Sequence, residues 1–439
     1  MKTMKKRYFN RLHILITAAL LLAPSMASAQ ESIEKLYSEY SKNSIIRPYQ
    51  VKSWLIYSEP GNCDFNLVQD GYGPVDILRL PPEDFVSVSD FEIDSDIVYF
   101  CGMMSDGVPC MGYFDMNMFP NSIIHYIRLS SLKSVKKLEV MSDNSGAHVI
   151  MTGFRGQSDV IIEATPNATG WNVHFINLYV PNAYNNHSYD DIAILDNYVV
   201  VTSRYVLYVN NDNITPYNVS KLWYFSKPNP AIVSLTSSSV SCLEVPYYHN
   251  IHLGIEKCEN DAFVIAGTVG AGVPYISGYN GTTQIGTVML SKTNTRIKSI
   301  SYCSNSKTTD VVIDPYDVAT NGSEIYTLFP GMATIPGVAY GHRFPGQIIN
   351  SLCYQSYNPL HYICVGDSIG NSNDLFIYRY FYNYTMECSE LISVETTAEK
   401  VEEEPLPANI ESSYIFYLTL SKKPVIKKIE TTPICISTF

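Results

Sequence analysis

The stretch SVSDFEIDSDIVYFCGMMSDGVPCMGYFDMNMF, residues 87–119, contains the repeating unit of this chain. Its apolar runs and tight polar turns predict strands over Val86–Ile93, Ile97–Cys101 and Cys110–Phe114. A fourth strand is predicted over Ile123–Leu129. One sheet of four short strands cannot bury both of its faces alone, so further copies of it are the expected packing partners.

Apolar strands that end at a small residue recur along the chain. After Gly102 of the quoted stretch, the recurring end positions are Gly153, Ser203, Gly267 and Gly366. The spacing is roughly fifty residues, with a double interval at the end of this series. We therefore expect one copy without a small end residue between Arg296 and Pro330.

The same pattern extends to both ends of the chain. Trp54–Tyr57, which ends at Ser58, is the first apolar strand, and Tyr414–Leu418 is interpreted as the last one. Asn, Asp, Gly, Ser and Pro fill the connections, as in tight turns. A four-stranded unit repeated at this spacing predicts an all-β fold, a β-propeller of about seven four-stranded blades, with six or eight also compatible.

Helical periodicity is confined to the start of the chain. Glu31–Lys42 is compatible with a short helix and is predicted to be part of a lead-in over residues 30–50. Residues 51–439 are predicted to form a single propeller domain.

The module VSDFEI, DIVYFCG and GYFD resembles the repeat of uncharacterised exported propeller-type proteins of Gram-negative bacteria. The resemblance covers most of the chain after residue 29. It implies the architecture and export, and it brings no activity with it. The signatures of WD repeats, kelch repeats and the sialidase Asp box do not occur in the sequence.

Residues 1–29 have the features of a secretory signal peptide. Basic residues precede an apolar run over Ile14–Ala23, and Ala27-Ser28-Ala29 then supplies a small-residue cleavage site. Ten apolar residues are too few to span a bilayer, so no transmembrane segment is expected after cleavage. The expected location is the periplasm, the cell surface or the extracellular space.

The charge of the chain argues against nucleic acid as a partner. The whole chain has 30 basic and 42 acidic residues and a net charge of −12, and the predicted signal peptide contains no acidic residue. An acidic protein repels phosphate backbones. Tyr is abundant, with 34 residues against 3 Trp, and Tyr suits both strands and binding faces.

Ten cysteines in an exported chain favour disulfides. Three pairs are close in sequence and are predicted as candidate hairpin bridges, provided that the two residues face each other: Cys101 with Cys110, Cys242 with Cys258, and Cys353 with Cys364. Cys242, His249, His252 and Cys258 have the wrong spacing for a typical structural zinc site. No metal and no cofactor is expected.

Two arginines are the candidate binding residues. Arg155 and Arg204 each follow the end position of their copy, in MTGFR and VTSR. Matching turns of neighbouring blades would place their guanidinium groups side by side, where they could bind a carboxylate or sulfate. The alternative is two solvated surface turns.

Motifs of common enzymes do not occur in the sequence. G-x-S-x-G, H-E-x-x-H and the P-loop are missing. Paired carboxylates for glycoside hydrolysis stay open, because in a propeller they come from different blades, and Asp90, Asp190 and Asp191 near inner strands are the candidates. The expected function is a non-enzymatic binding or scaffold propeller that recognises glycan or protein. The alternative is a carbohydrate-active enzyme, a glycoside hydrolase or lyase, with carboxylates at the axis.

Overall fold

Antiparallel meanders of short strands build the whole described part of this protein. The computed structural model describes residues 30–37, 44–50, 53–58, 63–69, 74–143, 146–180, 187–207, 217–227, 234–245, 254–304, 307–315, 322–329, 337–344, 347–354, 361–368, 375–381, 390–392, 396–399, 405–429 and 432–438. Within these ranges there is no α-helix, and one 3-10 turn lies at Met116–Met118.

The first strands are β1, which is not part of a meander with its neighbours in sequence, and two four-stranded meanders. They are β1 (Gln30–Tyr37); β2 (Ser44–Pro48), β3 (Ser53–Ser58), β4 (Asp64–Gln69) and β5 (Val75–Arg79); and β6 (Phe85–Asp94), β7 (Ile97–Met104), β8 (Pro109–Asp115) and β9 (Ile124–Arg128).

Two further meanders belong to one nine-stranded sheet. They are β10 (Ser134–Asp143), β11 (Gly146–Arg155), β12 (Ser158–Pro166) and β13 (Gly170–Tyr179); and β14 (Ser188–Ile194), β15 (Tyr198–Leu207), β16 (Tyr217–Ser226) and β17 (Ser239–Val245).

The next strands follow the same plan. They are β18 (Gly254–Lys257), β19 (Ala262–Val269), β20 (Val273–Asn280) and β21 (Thr283–Leu290); β22 (Thr295–Cys303), β23 (Thr308–Pro315), β24 (Ser323–Phe329) and β25 (Gly337–Phe344); and β26 (Gln347–Tyr354), β27 (His361–Ser368) and β28 (Leu375–Phe381).

The C-terminal strands do not form a meander of their own. They are β29 (Glu390–Ile392), β30 (Thr396–Glu399), β31 (Leu406–Leu418), β32 (Leu420–Lys422), β33 (Val425–Ile429) and β34 (Thr432–Thr438). We call β29–β34 the outer strap, because each of these strands is added to the last strand of a preceding sheet unit.

The first strand of every meander lies at the inside. β2, β6, β10, β14, β18, β22 and β26 each end their sheet, and each contacts the next one along the chain. β26 in turn contacts β2, so the first and last meanders adjoin. The arrangement is β-propeller-like and all-β, as the sequence predicts.

Apolar clusters fill the joints between neighbouring meanders. Phe65 of β4 packs with Phe91 and Phe114 of the next meander at ring centroid distances of 5.3 and 5.1 Å. Ile46 and Trp54 pack in the same way with Cys353 of β26, across the joint between the first and last meanders. The hydrophobic core of the described residues is therefore a ring of separate clusters, each shared by two neighbouring meanders.

The quoted stretch folds as the sequence predicts. β6–β9 match the four expected strands, and β22–β24 supply strands in the interval that has no small end residue. Gly102 and Gly153 each face a residue next to a register shift in the inner strand. A Cβ at Gly102 would collide with the Ser87 carbonyl oxygen, and one at Gly153 would lie 2.7 Å from that of Ser134.

The start of the chain differs from the prediction. Glu31–Lys42 was expected to contain a helix, but β1 is a strand that pairs with β28 on one side and β34 on the other. β1 and β2 also belong to sheets, so residues 30–50 are not a separate lead-in. Tertiary pairing at two sheet edges outweighs the helix propensity of QESIEKLY.

The end of the chain differs as well. Tyr414–Leu418 was expected to be the last core strand, but these residues belong to β31, which pairs with β13 on the outside. The exposed large apolar side chains of the outer strap are Leu406, Tyr414, Phe416, Leu418, Leu420 and Val425. No described helix has the length and apolar character needed to cross a membrane.

We predict that Gly102→Ala destabilises the protein by about 2 kcal/mol or more, because the new methyl group meets backbone rather than a movable side chain. Gly107→Ala is the matched control, since Gly107 has a φ of 79° and open space around it. Strain of the left-handed conformation alone should cost about 1 kcal/mol there. Equal urea midpoints for the two variants would contradict the close approach at Gly102.

Candidate axial binding site

The inner strands have an irregularity at corresponding places. In five inner strands the register with the second strand shifts by one residue: Val88/Asp90, Val135/Lys137, Tyr189/Asp191, Ile297/Ser299 and Ile349/Ser351. A bulge of this kind turns the following side chain in a new direction. The residues directly after the bulge in β6, β10 and β14 are Asp90, Lys137 and Asp191, and all three are charged.

These charged residues interact across the joints between inner strands. Lys137 Nζ lies 3.6 Å from Asp90 Oδ2. Arg47 of β2 approaches from the other side, with Nη2 3.1 Å from Asp90 Oδ1 and Nε hydrogen-bonded to Glu92. Two basic side chains therefore hold the carboxylates of β6 from both neighbouring strands.

Backbone amides of adjacent strands also bind the acids. Leu138 N–H donates to Asp90 Oδ2 at 3.3 Å, and Ile255 N–H donates to Asp191 Oδ2 at 3.1 Å. Tyr302 N–H donates to Glu256 Oε1 at 3.3 Å. Each of these carboxyl groups thereby links its own inner strand to the next one.

Similar hydrogen bonds link the first and last inner strands of the propeller-like ring. Ser351 of β26 accepts a hydrogen bond from Ile46 N–H at 3.4 Å, and Asn350 Nδ2 donates to Ser44 Oγ at 3.0 Å. Ser351 follows the bulge of its strand as Asp90 does. A neutral hydroxyl replaces the carboxylate at this joint.

Burial among like charges changes the acidity of the axial acids. Burial raises the pKa of Glu256 to about 8, with Glu92 and Asp191 contributing in the same direction. Burial also raises the pKa of Glu139, and Glu92 adds to the effect. Burial raises the pKa of Asp191 in the same way. At neutral pH Glu256 is therefore largely protonated.

The pKa values of the two basic groups are raised as well, by the acids around them. The carboxylates of Asp90 and Asp191 raise the pKa of Lys137. Burial alone would lower the pKa of Arg47, but the nearby carboxylates of Glu92 and Asp90 raise it overall. Both therefore stay cationic at neutral pH and balance part of the acidic charge.

We define the axial cluster as seven side chains from five inner strands: Arg47, Asp90, Glu92, Lys137, Glu139, Asp191 and Glu256. Several keep contact with solvent, since the side chains of Arg47 and Glu92 are 22% and 20% exposed. Protonated acids can donate hydrogen bonds and ionised ones can accept them. The cluster is thus suited to hydroxyl and ammonium groups.

The expected pair of binding arginines does not form. Arg204 is bound bidentately by Asp190 of its own meander, with Nε–Oδ2 at 2.6 Å and Nη2–Oδ1 at 3.1 Å. The guanidinium group of Arg155 lies over the Phe175 ring, 4.3 Å from its centroid, and donates to Ser413 Oγ at 2.6 Å. The prediction of two neighbouring guanidinium groups open to one anion is wrong.

The prediction failed because the two arginines differ by one position along their strands. Gly153 and Ser203 do occupy matching positions, but Arg155 is two residues past the first and Arg204 only one past the second. Successive side chains of a strand point to opposite faces, so the two arginines face different neighbours. Phe154 is the residue that corresponds to Arg204.

The predicted hairpin disulfides are not present among the described residues. Cys101 pairs with Met111 and Cys110 with Gly102, so the two cysteines are one position out of register. They point to opposite faces of the sheet and lie in two different apolar clusters as thiols.

The other two cysteine pairs have the same outcome. Cys353 is a thiol, and Cys364 pairs with Leu352 rather than with Cys353. Cys242 and Cys258 belong to neighbouring meanders and are both thiols. The side chain of Cys364 and the residues His249 and His252 lie outside the described residues.

Of the three acids proposed from sequence, two reach the axis. Asp90 and Asp191 belong to the axial cluster, whereas Asp190 occupies the bulge and turns to Arg204. Sequence reasoning missed the other five members of the cluster, which are Arg47, Glu92, Lys137, Glu139 and Glu256. Their common signal is a charged residue within the first strand of a repeat.

Neither a known protein family nor a curated protein matches this chain. The site therefore has to be interpreted from its own chemistry.

We predict that Arg204→Ala destabilises the protein by about 3 kcal/mol, because it removes the bidentate partner of a buried carboxylate. Arg155→Ala is the matched control and should cost about 1 kcal/mol, since it removes a cation–π contact and one hydrogen bond. Chemical denaturation at pH 7 measures both. Equal losses would contradict the structural role of Arg204.

We also predict a pH dependence that Glu256→Gln removes. The folded pKa of about 8 lies above the ordinary value of 4.5, so the stability that goes with this group is lost as pH rises from about 4.5 to about 8. The glutamine variant lacks this loss. Relative to the wild type it should gain on the order of 2 kcal/mol over that range. Glu244→Gln, at an exposed position of β17, is the control and should show no such gain. A flat difference between Glu256→Gln and the wild type would contradict the assignment.

Proposed function

We propose that this chain is an exported β-propeller of seven blades that binds a glycan at its axis without chemical reaction. β2–β5, β6–β9, β10–β13, β14–β17, β18–β21 and β22–β25 would be six blades. β26–β28 together with β1 would be the seventh. The contact between β26 and β2 supports this count, since it brings the first and last sheets together.

Export is supported by the predicted signal peptide and by the position of the first strand. β1 begins at Gln30, directly after the predicted cleavage site at Ala29. Cleavage there would release a chain whose first residues complete the seventh blade. The periplasm, the cell surface or the extracellular space of a Gram-negative bacterium is the proposed location.

The binding function is proposed because most of the axial acids are engaged in holding neighbouring inner strands together. Asp90, Asp191 and Glu256 each accept a backbone N–H from the next inner strand. Carboxyl groups fixed in this way stabilise the ring and are poorly placed to move protons. Glu139 differs, because in the described residues no hydrogen bond holds its carboxyl group.

Glycan is the ligand class that best suits this chemistry. Burial raises the pKa of both Glu139 and Glu256, and carboxyl groups of this kind can donate to and accept from vicinal hydroxyl groups. The excess of acids over Arg47 and Lys137 favours neutral or amino sugars over acidic ones.

A second candidate function is glycoside cleavage. It is favoured by one observation, the pKa of about 8 at Glu256, which keeps this acid protonated at neutral pH as a general acid requires. A second carboxyl group, that of Asp191, lies on the neighbouring strand β14, and glycoside hydrolysis uses a pair of carboxyl groups.

We predict that Glu139→Gln weakens glycan binding about tenfold, because it removes one hydrogen bond that the carboxyl group makes to the ligand. As with Glu256→Gln, replacing an acid whose pKa is raised by burial should not destabilise the fold near neutral pH. A glycan array identifies the ligand, and calorimetry compares the wild type, Glu139→Gln and the control Glu244→Gln. Equal affinity of the wild type and Glu139→Gln would contradict an axial site. Release of reducing ends by the wild type that is lost in Glu256→Gln would establish the enzyme instead.

A further inference from the structure

A second polar site lies at the joint between the β10–β13 and β14–β17 meanders, away from the axial cluster. Lys221 of β16 is 5% exposed, although lysine side chains are rarely buried without a partner. Its ammonium group lies 4.7 Å from the ring centroid of Tyr205 and 5.8 Å from that of Trp223. In the described part of the chain, no carboxylate forms an ion pair with it.

The nearest acid by strand pairing does not neutralise this lysine. Glu244 of β17 is the register partner of Lys221, but its side chain is exposed and makes no ion pair with Nζ. Asp190, the buried acid of the same meander, is bound to Arg204. The thiol of Cys242 also lies near Lys221.

His187 completes the site. It is 4% exposed, and neither of its ring nitrogens has a hydrogen-bond partner among the described residues. Its ring is perpendicular to Trp223 at 4.9 Å and to Tyr205 at 5.3 Å, so it shares the aromatic surroundings of Lys221. Burial lowers the pKa of His187 to about 3, with Lys221 contributing, so the imidazole is neutral and can donate one N–H.

Leaving the imidazole of His187 unsatisfied is unfavourable. A buried polar group without a hydrogen bond costs about 1–3 kcal/mol, and both ring nitrogens of His187 are buried in this way. An anion could accept from the imidazole N–H, which has no partner among the described residues, and could also accept from the ammonium group, whose charge it would balance. The indole Nε1–H of Trp223 is already taken by Ser203 Oγ at 2.7 Å, which leaves the other two groups as the donors.

We propose that Lys221 and His187 form a binding site for a single small oxyanion group, a carboxylate or a sulfate. Because Lys221 and His187 are only 5% and 4% exposed, one small acidic group, and not the body of a polymer, is the ligand that could reach them. The group can be a free ion or the acidic substituent of a sugar. This site has chemistry opposite to that of the axial cluster and does not depend on the proposed glycan function.

Fluorescence of Trp223 provides the readout, because this indole contacts both donors. The full chain is titrated with sodium sulfate, sodium acetate and sodium glucuronate at constant ionic strength, with glucose and sodium chloride as controls. We expect a saturable change with at least one oxyanion and none with glucose or chloride. A response to glucuronate alone would identify an acidic sugar as the source, and a response to all three would identify the free ion.

Variants separate this site from a general charge effect. Lys221→Met keeps an unbranched side chain that is one atom shorter, removes the ammonium group and should weaken oxyanion binding at least tenfold. Lys133→Met is the matched control, since Lys133 also lies over an aromatic ring, Phe154 at 5.4 Å, but is exposed. His187→Phe keeps the ring and removes the N–H, and it should weaken binding severalfold, which gives a second test if Lys221→Met does not fold. No oxyanion response in the wild type, or unchanged binding in both site variants, would overturn the proposal.

Discussion

The structure depends on the joints between inner strands, because an inner strand has backbone hydrogen bonds on one side only. β2, β6, β10, β14, β18, β22 and β26 each end a sheet, so their open edges face the next inner strand. Unpaired backbone groups inside a protein are costly. Carboxyl and hydroxyl oxygens of Asp90, Asp191, Glu256 and Ser351 accept some of the open N–H groups. The apolar clusters add the burial that holds each joint together.

These hydrogen bonds between inner strands explain why charged side chains gather at the axis, although the rest of the core is apolar. A bulge in the inner strand turns Asp90, Lys137 and Asp191 toward neighbouring strands, where each finds an amide or an opposite charge. Several acids from different strands then share a small volume, and their mutual repulsion and burial raise the pKa of Glu139 and Glu256. The structural joint thereby also creates the candidate site.

The outer strap pairs with the open edges of the sheets on the outside of the ring. A sheet edge that faces water invites pairing with other chains. β29–β34 run back along the ring and pair in turn with β25, β21, β17 and β13, β9, β5 and β1. The strap also places Tyr414, Phe416 and Leu418 at the surface, which reverses the interpretation of this apolar run as a core strand. Alternating exposure along β31 is the pattern of an added outer strand.

The sequence by itself determined the strand-rich fold, the four-stranded unit of residues 87–119 and its repetition. These properties depend on local rules: turn residues, apolar runs and the small residue required where Gly102 meets the Ser87 carbonyl oxygen. Two of the axial acids, Asp90 and Asp191, could also be named as candidates. Only the tertiary structure decided that β1 is a strand, that the last apolar run lies outside, and which way Arg204, Asp190 and Cys110 point. The physical reason is that one residue of register, or one added sheet edge, reverses the environment of a side chain, and neither is encoded within a local stretch of sequence.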